Sequence, residues 1–168
     1  MNLPKLIITD IDGVWTDGGM YYDNESNEFK KFNTSDSGGV IFCNILDIPV
    51  AIITGEKTEI VKRRAEKLKI KLLYQGIGNK LKVAYDLVKR LNISLSETAF
   101  IGDDINDLKL LNLVGFSAVP NNTPDYIKNK VDFVTTKNGG EGAFREFIEK
   151  ILIENDKLES VLELYLNK

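Results

Sequence analysis

The sequence predicts an α/β fold, a doubly wound, Rossmann-like parallel sheet with helices on both faces and a small β-hairpin projection. Short apolar segments rich in Val, Ile and Phe alternate with longer segments of helical periodicity. The apolar segments are continuous, as expected for strands that are buried on both faces. Because 168 residues suffice for one sizeable core, we expect a single domain over residues 1–168.

The predicted elements follow one another in strand–helix order. The first strand, residues 5–11, ends in a run of aspartates and glycines. Residues 18–33 break the alternation, because two aromatic-bearing segments flank the turn 23–27 and predict a hairpin flap. Helices are expected at the carboxyl terminus, about residues 142–167. The other strands are expected at 49–54, 71–75, 98–102, 115–119 and 131–135, and the other helices at 36–47, 57–68, 79–91, 105–114 and 123–130.

Composition excludes several classes of function. The net charge of −3 provides no basic stripe for nucleic acid, and no apolar segment is long enough to cross a membrane. The single cysteine, Cys43, and the lack of a signal-peptide pattern indicate a cytoplasmic protein. Because the chain has no histidine, Ser-His and Cys-His nucleophile pairs and histidine zinc sites are excluded. Catalysis would depend on carboxylates, lysine, hydroxyls and, where a metal is used, a hard ion.

Two aspartates stand at the end of the first strand. Asp10 and Asp12 are two residues apart, so in an extended chain both carboxylates face the same side. A turn or a helix cap would explain one of them, but two adjacent carboxylates repel unless a cation lies between them. Asp17 lies beyond the tight turn expected at Gly13, and we expect it to support the root of the hairpin.

A second acidic group follows the strand at 98–102. Asp103, Asp104 and Asp107 lie in the turn before the next helix, although helix capping alone would explain Asp104 or Asn106. Two acidic turns at the same edge of one sheet predict oxygen ligands for Mg²⁺, with water and a substrate phosphate completing the coordination.

Two further strand ends carry groups that suit phosphate. Thr54 ends the strand at 49–54 and Gly55 follows it, so a hydroxyl and free backbone N–H groups are available for a phosphate oxygen. Lys80 stands at the start of a helix, where a cation opposes the helix dipole unless it neutralises a bound anion. A surface position is the commoner explanation for any single lysine, so the hypothesis depends on the whole set.

In the order Asp-x-Asp, Thr, Lys and Gly-Asp-Asp-x-x-Asp, the sequence resembles the haloacid dehalogenase superfamily of phosphohydrolases over essentially the whole chain. The resemblance implies that Asp10 is the nucleophile, forming an aspartyl-phosphate, and that Asp12 is the general acid and base. It also implies Mg²⁺ held by Asp10, the backbone carbonyl of Asp12 and Asp103. Thr54 and Lys80 would hold the non-reacting phosphate oxygens. Supporting roles are expected for Gly13, Gly55, Asp104 and Asp107.

The chain leaves no room for a cap domain beyond the hairpin. It resembles the capless branch of the 3-deoxy-D-manno-octulosonate 8-phosphate phosphatase type, which it matches in "DGVWTDG", "KFNTSDSGG" and "GGEGAFRE". That resemblance implies a homotetramer in which hairpins and C-terminal segments complete neighbouring active sites. The hairpin aromatics would pack either in the chain's own core or on another subunit: Tyr21, Tyr22, Phe29 and Phe32.

The substrate prediction depends on a departure from that type. Glu56 stands where the octulosonate type usually has arginine, and a carboxylate favours sugar hydroxyls and repels acids. Arg64 and Lys67 share a helix face, which is either a solvated basic face or, presented by an adjacent subunit, a site for a sugar acid. This combination resembles the sister group that acts on nine-carbon 2-keto-3-deoxy acid 9-phosphates of the deaminoneuraminate or sialic acid kind, which is the predicted substrate class. Further predicted substrate contacts are Thr34, Ser35, Asp36, Ser37, Gly38 and Asn106, with capping of the helix near residue 37 as the alternative for Asp36.

The sequence leaves two alternative functions open. The first is hydrolysis of 3-deoxy-D-manno-octulosonate 8-phosphate. The second, from another class, is a receiver-type phosphoacceptor signalling domain, which also combines an acidic pair, a threonine and a lysine on a doubly wound sheet. In a receiver the lysine comes last, whereas Lys80 precedes Asp103 here. The complete acidic set disfavours an inactive homologue.

Overall fold

Six short strands form one parallel sheet in the computed structural model, which describes residues 2–167. All five strand pairings are parallel. Counted along the chain, the strands lie in the order 3-2-1-4-5-6 of doubly wound Rossmann folds. The predicted fold class is confirmed, and this order excludes the receiver-type alternative, whose sheet has the order 2-1-3-4-5. From one edge to the other the strands are β5 (Leu72–Tyr74), β4 (Val50–Ile53), β1 (Leu6–Thr9), β6 (Thr98–Ile101), β7 (Phe116–Val119) and β8 (Phe133–Val134).

Helices cover both faces of the sheet. Within β1, Ile7 faces one apolar cluster, whereas Leu6 and Ile8 face the other, because successive strand residues point to opposite sides. Both faces are therefore buried, which explains the uninterrupted apolar segments. No helix among residues 2–167 has the length and apolar character needed to cross a membrane. One face is covered by α1 (Asp36–Ile45), α2 (Glu59–Lys67), α6 (Ala143–Glu154) and α7 (Leu158–Leu166), and the other by α3 (Lys80–Leu91), α4 (Leu108–Leu111) and α5 (Asp125–Lys128).

One predicted helix is divided in the structure. Residues 105–114 form a 3₁₀ turn, Ile105–Asp107, followed by α4. The Asp107 carboxylate accepts hydrogen bonds from the backbone N–H groups of Asp103 and Asp104, at 3.0 and 3.3 Å. These bonds draw the start of the segment into the tighter turn, because they satisfy donors that a regular helix leaves open at its first turn.

The predicted hairpin is present with very short strands. β2 (Tyr21–Tyr22) pairs antiparallel with β3 (Glu28–Phe29). The carboxylate of Asp23 closes the turn, since it accepts hydrogen bonds from the backbone N–H groups of Glu25 and Asn27. Local side chain to backbone bonds of this kind favour a turn over a longer strand.

The hairpin aromatics differ in burial. Tyr21, Tyr22 and Phe29 are 44%, 65% and 57% exposed, so they are not part of the chain's own core. Phe32, which follows the hairpin, is partly buried against the core. The predicted homotetramer stays a prediction, and the three exposed rings are the surface at which it would be tested.

Candidate active site

The segment after β1 brings Asp10 to the carboxyl edge of the sheet. The backbone N–H of Asp10 donates to the carbonyl of Ile101 at 3.0 Å, which continues the pairing with β6 by one residue. The fully buried Trp15 holds the turn that follows, because its indole N–H donates to Thr9 Oγ1 at 2.8 Å and its ring packs on Phe144 at 4.6 Å. The nucleophile candidate is thus set on a rigid strand end. As predicted for Asp17, its carboxylate supports the hairpin root by accepting from the backbone of Gly19 and the hydroxyl of Tyr21.

Lys80 is buried between two of the predicted site aspartates. Its ammonium lies 2.6 Å from Asp10 Oδ2 and 2.6 Å from Asp107 Oδ1, and its side chain is 1% exposed. The explanation as an ordinary surface lysine therefore does not apply. Burial lowers the pKa of Lys80, but the two carboxylates outweigh it and raise the pKa above its ordinary value. Lys80 is a fixed cation at the start of α3.

The aspartates of the two acidic turns form one cluster. Carboxylate oxygens of Asp10, Asp103 and Asp107 lie within 4.8 Å of one another. Burial, followed by the charges of Asp10 and Asp107, raises the pKa of Asp103 to about 8. Burial also raises the pKa of Asp10 to about 6, with Lys80 opposing the shift. Such a cluster is unfavourable unless a further cation neutralises it.

The donor set fits Mg²⁺. Asp10 Oδ1 is buried and has no hydrogen-bond partner among the described residues, whereas Asp10 Oδ2 is bound to Lys80. Both oxygens of Asp107 are used, one by Lys80 and the other by backbone N–H groups, so Asp107 orients the cluster. Asp10 and Asp103 are left as the carboxylates that would hold the ion, and all-oxygen ligands are those that Mg²⁺ prefers.

Two glycines make this close approach possible. A Cβ atom on Gly13 would lie 1.9 Å from Asp103 Oδ2, and the φ of Gly13 is +81°, in the left-handed region. A Cβ atom on Gly102 would lie 2.5 Å from Asp107 Cγ. The backbone can therefore pass directly beside two of the carboxylates only because no side chain is present.

A lysine that the sequence analysis did not identify lies beside Asp12. The ammonium of Lys30, at the end of the hairpin, is 2.6 Å from Asp12 Oδ1, 3.0 Å from Glu56 Oε2 and 3.3 Å from Glu28 Oε1. Burial lowers the pKa of Lys30, but its hydrogen bonds to Asp12 and Glu56 raise the pKa above its ordinary value. The signal that was available is the position of Lys30 on a flap that projects from the acidic edge of the sheet.

An open cavity of about 250 Å³ lies above the buried cluster. Thr54, at the end of β4, and the exposed Asn106 are on its wall, so these predicted residues are brought together with the acidic turns. Asp10, Lys80 and Asp107 are buried beside it. The cavity is lined by Asp12, Gly13, Gly18, Thr54, Gly55, Glu56, Asp103, Asp104 and Asn106.

A second group of predicted residues lies around the start of α1 and does not line this cavity. Arg64 donates to the Asn33 carbonyl and to Ser37 Oγ of its own chain, at 3.2 and 3.0 Å, whereas Lys67 is exposed. The structure therefore brings Arg64 and Lys67 to the same helix but not to the same surroundings. The residues of this group are Thr34, Ser35, Asp36, Ser37, Gly38, Arg64 and Lys67, and none of them lines the cavity beside Asp12.

Asp36 and Gly38 have structural roles between α1 and α6. Asp36 Oδ1 accepts from the backbone N–H of Arg145 at 3.0 Å, so Asp36 caps α6 and makes no cap bond to its own helix. Burial raises the pKa of Asp36 to about 6, with Arg145 and Arg64 opposing the shift. A Cβ atom on Gly38 would overlap the guanidinium of Arg145, which lies over the Phe42 ring at 4.2 Å.

The fold and the site together define a class of enzyme. A Rossmann-order sheet presents a free carboxylate oxygen, an all-oxygen metal site and a buried lysine at its carboxyl edge, which is the arrangement needed for transfer of a phosphoryl group. Comparison with known proteins makes the class specific. The family described as haloacid dehalogenase-like hydrolase matches residues 57–147, and the chain belongs to this family.

Several relatives are similar over most of their length. A 3-deoxy-D-manno-octulosonate 8-phosphate phosphatase of Haemophilus influenzae is 40% identical over 88% of this chain and 82% of that protein. The enzyme of the same name from Yersinia pestis is 38% identical over 95% of this chain and 86% of that protein. A crystal structure of a phosphatase of that name from Moraxella catarrhalis, with magnesium, phosphate and KDO, superposes with a TM-score of 0.92 at 37% identity, covering 96% and 93% of the two chains. The protein is a phosphatase of the haloacid dehalogenase family, and Mg²⁺ is its cofactor.

Proposed function

We propose that this phosphatase acts through an aspartyl-phosphate on Asp10. The observation that supports the proposal is the Asp10 carboxylate: its Oδ1 is buried and has no hydrogen-bond partner within residues 2–167, and its Oδ2 is bound by Lys80. One oxygen of the Asp10 carboxylate forms the new bond to phosphorus while the bond to the ester oxygen breaks, and the other oxygen would stay on Mg²⁺. Asp12 gives a proton to the departing alkoxide and then takes one from the water that hydrolyses the intermediate.

The charges around Asp10 support this assignment. A carboxylate and a phosphate repel by about 4 kcal/mol for each pair of unit charges at 4 Å and an effective dielectric of ~20. Asp10, Asp103 and the Asp12 carbonyl would hold Mg²⁺, which would supply the neutralising charge for the acidic edge. Lys80 adds a second positive charge, and the Thr54 hydroxyl and the Gly55 N–H, on the cavity wall, are available to the non-reacting oxygens.

The first candidate substrate is 3-deoxy-D-manno-octulosonate 8-phosphate. The relatives described above carry that name, and they are 37–40% identical over most of both chains. They support this eight-carbon alternative better than the nine-carbon substrate class that the sequence analysis preferred. The wall of the cavity is polar and acidic, as suits a hydroxyl-rich ligand.

The second candidate is a nine-carbon 2-keto-3-deoxy acid 9-phosphate, and Glu56 is the observation that favours it. The carboxylate of Glu56 lies on the cavity wall, where the octulosonate type usually has arginine, and Lys30 holds one of its oxygens at 3.0 Å. A carboxylate fixed in this way can accept hydrogen bonds from sugar hydroxyls, and the nine-carbon acid has one more hydroxyl-bearing carbon than the eight-carbon acid.

Paired kinetics on the two sugar acids test the substrate proposal. We expect a kcat/KM at least about tenfold higher for the eight-carbon ester, a difference of about 1.4 kcal/mol. The opposite ratio would select the nine-carbon class. Glu56→Arg should move the ratio further toward the eight-carbon ester, and Glu59→Arg, at an exposed position of α2, should leave it unchanged. Continued Mg²⁺-dependent phosphate release by Asp10→Asn would show that Asp10 is not the nucleophile.

A further inference from the structure

The Lys30 ammonium is the only cation within 4 Å of the Asp12 carboxylate among residues 2–167. Its side chain is 1% exposed, although it comes from a hairpin whose rings are largely exposed. The ammonium joins three separate parts of the chain: Asp12 after β1, Glu56 after β4 and Glu28 in β3. The ammonium donates hydrogen bonds to Asp12 and Glu56, at 2.6 and 3.0 Å, and lies 3.3 Å from Glu28 as an ion pair without a hydrogen bond. The two hydrogen bonds hold it in one position, because charge-assisted hydrogen bonds are strong and directional.

We propose that Lys30 is a positioning residue that aims the carboxyl group of Asp12 at the leaving-group oxygen. The inference rests on the proposed role of Asp12 as general acid. Lys30 and Thr16 both bind Oδ1 of Asp12, at 2.6 and 3.4 Å. Oδ2 of Asp12 accepts no hydrogen bond from the described residues, so it is the oxygen left for proton transfer. With Oδ1 held on one side, rotation of the carboxylate is restricted and Oδ2 keeps one direction.

The shape of the site places Lys30 behind the cavity wall. Asp12 and Glu56 line the cavity, whereas Lys30 does not. The ammonium therefore neither fills the space for the leaving group nor touches a substrate there. Its effect reaches the reaction through the two carboxylates it binds. The same geometry makes the hairpin part of the catalytic apparatus, because the hairpin supplies the cation that orients Asp12.

A general acid matters only when the leaving group needs a proton. Nitrophenolate departs without a proton, whereas the alkoxide of a primary alcohol must be protonated as it departs. The value of kcat/KM reports the steps up to the transfer of phosphoryl to Asp10, before Asp12 activates water. If the Asp12 carboxyl group is no longer held toward the leaving-group oxygen, kcat/KM should fall for alkyl phosphates. The kcat/KM for an aryl phosphate should stay nearly unchanged. A purely structural loss would affect both esters equally.

The test compares Lys30→Met with wild type on p-nitrophenyl phosphate and on two primary alkyl phosphates, glycerol 3-phosphate and 3-deoxy-D-manno-octulosonate 8-phosphate. We expect kcat/KM for the alkyl esters to fall about 100-fold, as for a misplaced catalytic group, and that for the aryl ester to fall less than about threefold. Lys30→Arg should recover part of the alkyl activity because it keeps the charge. The exposed neighbour Lys31 provides the matched control, and Lys31→Met should change neither value.

Several outcomes overturn the inference. Equal losses on both ester classes, no loss on either, or a gain from Lys30→Met would each show that Lys30 does not aim Asp12. Asp12→Asn is measured in parallel. If Asp12→Asn shows no alkyl-selective loss, the proposed role of Asp12 is wrong. If Asp12→Asn shows that loss and Lys30→Met does not, only the role of Lys30 is refuted. Should Lys30→Met not fold, Lys30→Gln gives the same comparison, with a smaller alkyl-selective loss expected because its amide can still donate to Asp12.

Discussion

One added methyl group at Gly13 tests how closely the metal site depends on the backbone. In Gly13→Ala the new Cβ would lie 1.9 Å from Asp103 Oδ2, and Cβ atoms essentially never come within 3.0 Å of such an atom. The Asp103 carboxylate must therefore retreat by about 1 Å (the difference between 3.0 and 1.9 Å) or the turn must open. The φ of +81° adds about 1–2 kcal/mol of backbone strain for an L-residue.

These two effects have separate consequences. The strain should lower the free energy of unfolding by about 1–2 kcal/mol, measured by urea denaturation without Mg²⁺. Displacement of a ligand by about 1 Å should raise the Mg²⁺ concentration for half-maximal activity about 10–100-fold, measured by phosphate release from p-nitrophenyl phosphate. The control is Gly78→Ala, because a Cβ atom there meets nothing within 4 Å and the φ is ordinary. A wild-type Mg²⁺ titration for Gly13→Ala would refute the proposed place of Asp103 in the metal site.

Two further changes test the buried charges. Lys80→Met leaves the carboxylates of Asp10 and Asp107 without their ammonium, so we expect a loss of about 3–5 kcal/mol in unfolding free energy and no phosphate release, by urea denaturation and phosphate assay. Asp36→Asn should make stability less dependent on pH between about 4 and 6. Burial raises the pKa of Asp36 from 3.8 to about 6. As pH rises, the unfolded chain therefore loses this proton before the folded chain does, and the unfolding free energy of the wild type falls by about 1–3 kcal/mol. Denaturation at several pH values measures this fall.

Each change has a matched control. Lys82→Met removes an exposed ammonium that lies 3.1 Å from Asp86, and it should cost less than about 0.5 kcal/mol. A loss below about 1 kcal/mol in Lys80→Met would contradict the buried charge network. For Asp36, the control is Asp156→Asn at an exposed residue, which should keep the wild-type dependence on pH. Identical slopes for Asp36→Asn and wild type would mean that Asp36 does not titrate as its burial requires.

The residues that sequence reasoning identified share one property: each stands at the end of a strongly patterned local segment. Asp10 follows β1, Thr54 follows β4, and Asp103 follows β6. In a parallel sheet those ends meet at one edge, so local patterns suffice to predict that they converge. Lys80 was identified for the same reason, because its place at a helix start is visible in the sequence.

The residues that sequence reasoning missed or misplaced depend on contacts between distant segments. Lys30 meets Glu56 across 26 residues, and Asp36 meets the backbone of Arg145 across 109 residues. No local period distinguishes Lys30 from its neighbour Lys31, since both are lysines at the end of a hairpin. Burial separates them, and burial is a property of the folded chain.

The sequence by itself determined the parallel sheet, the hairpin and the acidic edge, because local composition and spacing predict which strands are buried and where they end. Only the tertiary structure decided which carboxylate oxygens stay free and which are occupied. Lys80 binds Asp107, Lys30 binds Asp12, and Arg64 is bound within its own chain. The physical reason is that a carboxylate's chemistry depends on its partners within about 4 Å, and folding alone chooses those partners.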